Sequence, residues 1–357
     1  MGRPWLALAL AITFAAASAS ALSSSAFAQQ TPITVEGRVT NGTSGGGVAS
    51  GLTVISHEES ATRHEDREAI TDSAGRFRFD GVEYDASLAY GLSVTYQGAL
   101  YGVDVDLSAG SPPPVEIVVY EATSDDDALS AASASVLYAS VDESTRLVAV
   151  LEIIQLVNGS DRTYVPGTQP MDLVRFGLPP GAGGLRVDTR LPGADFVQVD
   201  RGFALIANIP PGEHEILYTY EFPYSGRAFE YGKSFNYGAD RLRVLAPVDV
   251  LRITSGRLGA SKTTLIGQRA YHLLEATGIE RGASIDLLLE DLPQPGLAGR
   301  VRQQLDGVRF ELAAPVALGV LMAGVIGYAL WRRSRERDEA VDSAAGADPE
   351  GAARPGP

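Results

Sequence analysis

TDSAGRFRF, residues 71–79, decides how the first hundred residues fold. Asp72 and Gly75 stand at the first and fourth positions of a turn, where aspartate accepts backbone N–H bonds and glycine accommodates a positive φ. Phe77 and Phe79 then alternate with Arg76 and Arg78, which gives an emerging strand one apolar and one charged face. The competing reading is a small acidic metal loop. A calcium loop needs roughly six to eight oxygen ligands, and this stretch offers a single carboxylate. A turn running into a half-buried strand is therefore predicted.

Working outward from it, the period-two signal persists from Pro32 onward and amphipathic helical patterns are nearly absent. ITVEGRV, LTVISHE, EAITD, RFRFDGV, AYGLSVTYQG, LYGVDVDLS and VEIVVYEA are separated by NGTSGGG, DSAG, YDAS and GSPPP. Short strands with such turns predict a β-sandwich over residues 31–122. The acidic and small residues of 123–133 read as a linker, and about a dozen further strand-like runs over 134–292 predict a second, larger sandwich. The expected fold class is all-β, two antiparallel β-sandwich domains, followed by a stalk over 293–311.

The order of elements in 33–121 resembles the carboxypeptidase regulatory-like domain, a transthyretin-like, carbohydrate-binding-like fold. The pattern lies in Ile33, Val35, Gly37 and Val39, then Thr71, Asp72, Gly75, Phe77 and Phe79, then Tyr90, Leu92, Val94, Tyr96 and Gly98. It covers about a quarter of the chain, and NGTSGGGVASG departs from the tighter turn usual there. The resemblance implies an accessory, folding or adhesion module without catalytic residues, in a group of folds some of which bind carbohydrate. Bacterial chains of this layout look like accessory subunits of the envelope, such as those near cytochrome c maturation.

The two ends give an address. Arg3, an apolar run from Trp5 to Ala17 and the small-residue site Ala26-Phe27-Ala28 predict a signal peptide over 1–28. Residues 312–331 carry no charge over a length that matches the hydrocarbon core, so one transmembrane helix is expected there, in the lipid bilayer. Trp331 suits the interface, and Arg332, Arg333, Arg335 and Arg337 form a flank that stays cytoplasmic. The polar tail 332–357 reads as short and disordered. The N-terminal domains are thus expected outside the cell membrane and the C-terminal tail inside.

There is no cysteine, which rules out disulfides, thiolate metal sites and a cysteine nucleophile. The formal charge is −15, a balance that repels phosphate backbones, so no nucleic-acid partner is expected. Only Lys233 and Lys262 are lysines, arginine supplying the other positive charges, a mark of GC-rich bacterial coding.

Candidate chemistry is sparse. His57 and His64, in HEESATRHEDRE, offer a metal site with Glu58 or Glu65, against the reading of a polar surface hairpin. Asp104 and Asp106 share a strand face and offer carboxylates together with Asp125, Asp126 or Asp127. His214 and His272 are isolated and no G-x-S-x-G elbow accompanies them. GRLGASKTT, 256–264, lacks the glycine that a phosphate loop needs before Lys262. Asn41 and Asn158 begin glycosylation-like triplets that are better read as turns. The most suggestive surface is a row of rings: Tyr218, Tyr220, Phe222 and Tyr224, then Phe229, Tyr231, Phe235 and Tyr237. Such a row stacks on sugars or grips a partner protein if exposed, and fills a core if buried. The expectation is a non-enzymatic, membrane-anchored protein that binds an envelope protein partner and needs no cofactor or metal. A glycan-binding module is the alternative and a hydrolase the second alternative.

Overall fold

The computed structural model describes residues 32–294, apart from 168, 170 and 171. The expected signal peptide (1–28), the stalk from 295 on, the apolar span (312–331) and the tail (332–357) lie outside the described residues. Among the described residues the protein is all-β, and no helix there is long and apolar enough to cross a membrane.

The first strands are β1 (Ile33–Asn41), β2 (Thr53–Glu59), β3 (His64–Ile70), β4 (Arg76–Val82), β5 (Ala89–Tyr96), β6 (Ala99–Asp104) and β7 (Val115–Val119). They form two sheets, ordered β4-β1-β7 and β3-β2-β5-β6. Val35, Val39, Phe77, Phe79 and Ile117 of the first sheet share one core with Val54, Leu92, Val94 and Tyr101 of the second. The turn at 72–75 aims β4 at this core. The Asp72 carboxylate accepts the N–H groups of Ala74 and Arg76, both at 2.8 Å, and Gly75 has φ +77°. A Cβ on Gly75 would lie 2.3 Å from the Val39 carbonyl oxygen, so both the backbone angle and the space there require glycine. Phe77 and Phe79 are buried while Arg76 and Arg78 face water.

The remaining strands are β8 (Ala122–Thr123), β9 (Leu129–Asp142), β10 (Leu147–Asn158), β11 (Thr163–Tyr164), β12 (Val174–Gly177), β13 (Gly183–Thr189), β14 (Asp195–Val199) and β15 (Gly202–Ile206). They continue as β16 (Gly212–Pro223), β17 (Ala228–Phe235), β18 (Ala239–Pro247), β19 (Arg252–Thr254), β20 (Lys262–Ile266), β21 (Arg269–Ile279) and β22 (Ala283–Glu290). A seven-stranded sheet, β13-β16-β10-β9-β18-β21-β20, shares a second core with two three-stranded sheets, β12-β15-β14 and β17-β22-β19.

Two expectations need correction. The linker expected over 123–133 is shorter, because Leu129 and Ala131 are buried and begin β9. The pairing is also mixed: β1 runs parallel to β7, β8 to β11, and β9 to β18. Alternating hydrophobicity is the same in both pairings, so strand direction depends on the long returns of the chain and leaves no local trace.

The two cores are bolted together by polar groups. The Tyr101 hydroxyl lies 2.7 Å from Thr163 Oγ1 and donates to the Tyr120 carbonyl at 3.0 Å. Thr43 Oγ1 donates to the Asp161 carbonyl at 2.8 Å and accepts the Glu121 N–H at 2.9 Å. Thr43 belongs to NGTSGGG, so the loop that departs from the family resemblance meets the second unit.

Candidate functional site

The aromatic row is core. Tyr218, Tyr220, Phe222, Tyr224, Tyr231, Phe235 and Tyr237 are all buried, and Phe229 packs half-buried against the same cluster. Tyr218 stands edge-on to Phe203 with centroids 4.9 Å apart, and Phe222 lies 5.1 Å from Phe229 and 5.8 Å from Tyr231. The surface reading of Tyr218, Tyr220, Phe222, Tyr224, Phe229 and Tyr231 is therefore corrected in favour of the core reading. Phe222 on β16 packs against Phe229 and Tyr231 on β17, all six rings belong to or pack against one core, and no sugar reaches them to stack.

Among the buried rings sits a charge pair that sequence reasoning passed over. Glu152 on β10 and Lys233 on β17 are 0% and 3% exposed in their side chains and meet at 2.7 Å, bridging facing sheets. The Glu152 carboxylate also accepts the hydroxyls of Tyr218 at 2.6 Å and Tyr220 at 2.7 Å. Lys233 Nζ donates to the Gly177 carbonyl of β12 at 2.8 Å and lies 3.3 Å from the Tyr218 hydroxyl. A second hydroxyl pair, Tyr138 with Tyr231 at 2.6 Å, lies alongside. Burial raises Tyr138, Tyr218, Tyr220 and Tyr231 above the ordinary phenol range, the Glu152 charge adding to it. Every member has a partner, as a low-dielectric core demands. The signal for it was present: Glu152 and Lys233 occupy inward positions of their strands, between Val150 and Ile154 and between Tyr231 and Phe235.

A second polar cluster lies on the outer face of the four-stranded sheet of the first unit. His57 on β2 stands opposite Asp66 on β3, and its Nδ1 is 2.7 Å from the Asp66 carboxylate. Its Nε2 is 2.7 Å from Ser93 Oγ on β5. His64 Nε2 reaches the same Asp66 oxygen at 3.3 Å, and the two imidazoles stack with centroids 6.1 Å apart. The His57 hydrogen bond is the main reason that the Asp66 carboxyl is held below the usual range. The carboxylates nearest to the histidines in sequence, Glu58 and Glu65, are not the ones that meet them. Glu58 instead turns inward, 3.2 Å from Arg67, and Glu65 pairs with Arg63 at 2.8 Å, because both sit on the other face of the hairpin.

Ser93, His57 and Asp66 stand in the order of a hydrolytic triad, yet the serine lacks the setting of a nucleophile. It is 8% exposed, and β5 is flanked by β2 and β6, with Ser93 opposite Ile55 and Gly102. The ladder on both sides leaves no strand-to-helix elbow whose free N–H groups would hold an oxyanion.

The other candidates do not converge. His214, bonded to the Pro210 carbonyl at 2.7 Å, sits on β16, and His272 on β21, four strand spacings away or roughly 19 Å. Asp104 ends β6 and Asp106 caps Ser108 in the following turn, so they do not share a strand face. Asp125, Asp126 and Asp127 lie close together, with Asp126 paired to Arg281 at 2.8 Å. Residues 256–264 lead into strand β20, where a phosphate loop would open a helix.

Of the sheet edges among the described residues, two border a cleft: β13 ends the seven-stranded sheet and β14 ends a three-stranded one. The cleft between them, of about 250 Å³, is lined by Val187, Leu191, Phe196 and Leu205 and by the polar Asp188 and Asp195 among others. Beside it, Val197, Val199 and Ile206 are exposed at 48%, 58% and 39%. β14 carries no lysine or proline to protect its edge.

No family model matches the chain, and no curated protein matches it. Among solved structures it is similar to an M1 zinc metallopeptidase from Deinococcus radiodurans and to a mutant of that enzyme bound to a Tyr-Ser-Ala substrate. Each match has a TM-score of 0.29 at 12% identity, over 46% of this chain and 42% of that one. The chain thus spans less than half the length of these structures, and a likeness of that size carries no statement about activity.

Proposed function

We propose that this is a membrane-anchored, extracytoplasmic protein of the bacterial envelope whose two β-sandwich domains bind a partner protein, with no catalytic step of its own. The observation that carries the reading is the open edge of β14. A strand edge without lysine or proline beside a cleft, with Val197, Val199 and Ile206 exposed next to it, suits an extended segment of another envelope protein that adds as a further strand. Main-chain bonds along β14 supply affinity, and the cleft takes alternate side chains of the added segment. The sandwich description is supported by the pairs of sheets that share a core, and by the family resemblance over 33–121. Export and anchoring rest on residues 1–28 and 312–331.

The test is a photoreactive amino acid placed at Val199 in the full chain, in native membranes. One discrete crosslinked protein is expected, and the pair Val197→Asp and Ile206→Asp should reduce its yield about tenfold, equivalent to ~1.4 kcal/mol. The same probe at Leu265, 73% exposed on β20, should not capture that protein. No discrete product from Val199, or the same product from Leu265, would refute the reading.

A further inference from the structure

We propose that His57, His64 and Asp66 form a binding site for a divalent transition-metal ion of the zinc class on the outer face of the β2–β3 hairpin. One nitrogen of each imidazole and one carboxylate oxygen lie within 4.8 Å of one another. Zinc–ligand bonds of roughly 2.0–2.2 Å in a tetrahedral arrangement set neighbouring ligand atoms roughly 3.3–3.5 Å apart. The His64–Asp66 distance is already 3.3 Å. The His57–Asp66 distance of 2.7 Å, now a hydrogen bond, needs to open by about 0.6 Å, which a small rotation of the Asp66 side chain, 43% exposed, provides.

Placement follows from strand geometry. His64 and Asp66 are two apart on β3 and so share a face, and the register sets His57 directly opposite Asp66. Glu59 stands opposite His64, and Glu68 follows Asp66 on the same face, so the surroundings favour a cation.

Ser93 strengthens the argument. Metal-bound imidazoles hold their second nitrogen with a hydrogen bond that sets tautomer and ring orientation. With Nδ1 turned toward Asp66 and His64, Nε2 of His57 is held by the Ser93 hydroxyl at 2.7 Å. A hydroxyl both donates and accepts, so it serves the tautomer that bonds Asp66 and equally the one that offers Nδ1 to an ion. Two imidazoles and one carboxylate suit zinc, copper or nickel, whereas calcium and magnesium prefer oxygen-only sites. Three protein ligands leave a coordination position for water or for a side chain of a docked partner. Along edge strand β3 the ion would also pin the hairpin.

The experiment is calorimetric titration of Zn²⁺ into the detergent-solubilised full chain, purified without a polyhistidine tag, with Co²⁺ absorption as a second readout. One Zn²⁺ per chain and an intense Co²⁺ ligand-field band of low coordination number are expected. His64→Ala and Asp66→Asn should each weaken binding roughly 100-fold or more, and Ser93→Ala by roughly 10- to 100-fold through the orientation of His57. Glu65→Gln, on the opposite face of the hairpin, should bind like the wild type. Should the Ser93 variant fail to fold, His64→Ala at an exposed position decides alone, its fold verified by circular dichroism. Absence of saturable binding, undiminished binding by His64→Ala, or Ca²⁺ binding as tight as Zn²⁺ would each overturn the proposal.

Discussion

Lys233→Met isolates the Glu152 charge in the second core and tests whether that network holds the facing sheets in one arrangement. The substitution keeps an unbranched chain of similar length and removes the ammonium, with its contacts at 2.7 Å to Glu152 and 2.8 Å to the Gly177 carbonyl. Glu152 has no exposure and keeps only the two tyrosine hydroxyls, which do not neutralise a carboxylate. Breaking a buried pair from one side costs about 3–5 kcal/mol. At about 2–4 °C per kcal/mol for a unit of this size, the midpoint should fall by about 6–20 °C. Glu152→Gln in the same chain removes the stranded charge, so the double variant should recover at least half of the loss, a coupling of about 2 kcal/mol. Trp5 and Trp331 both lie outside the described residues, so the assay is the tyrosine near-UV circular dichroism signal in urea, with the m-value compared between variants. A cost below about 1 kcal/mol for Lys233→Met at unchanged m, or a double variant equal to the sum of the singles, would refute the reasoning.

Alkaline pH addresses the same core. The folded pKa values of Tyr138, Tyr218, Tyr220 and Tyr231 are raised above the unfolded value near 10, so their contribution is fully present below pH ~10 and is lost as pH climbs through the folded values. Four phenols ionising only in the unfolded chain cost about 5–6 kcal/mol per pH unit, which predicts cooperative unfolding near pH ~11. Tyrosinate absorbance from these residues should appear only with that transition, and smooth titration with the dichroism retained would contradict it. In the first unit, Gly75→Ala should destabilise by about 1–3 kcal/mol or more, since it combines a left-handed backbone with the 2.3 Å approach to Val39. Gly110→Ala has φ +96° and open space around it, so an equal melting shift in both variants would show that the contact at Gly75 does not matter.

Much of the fold was legible because strand periodicity and turn chemistry are local. Asp72, Gly75, Phe77 and Phe79 do in the structure what their spacing predicts: the carboxylate caps the turn and the rings enter the core. The aromatic row shows the limit of that logic. Its alternation places Tyr218, Tyr220 and Phe222 on one face of a strand, and alternation says nothing about whether another sheet covers that face. The mixed pairing of β1 with β7 and of β9 with β18 is hidden for a related reason, since a residue's inward or outward register is blind to the direction of its neighbour.

The candidate sites divide along the same line. His57 and His64 were visible as residues of interest, but their carboxylate partner was not: Glu58 and Glu65 are nearer in sequence, and only the hairpin register turns them away and brings Asp66 and Ser93 in. By itself the sequence determined the all-β class and the turn that orients β4, because each depends on residues within a few positions of one another. Tertiary structure alone decided that the rings are core, that Glu152 meets Lys233 across 81 residues, and that two histidines, an aspartate and a serine share one sheet face. Those contacts join distant strands through long loop closures, and no short-range pattern encodes which faces will meet.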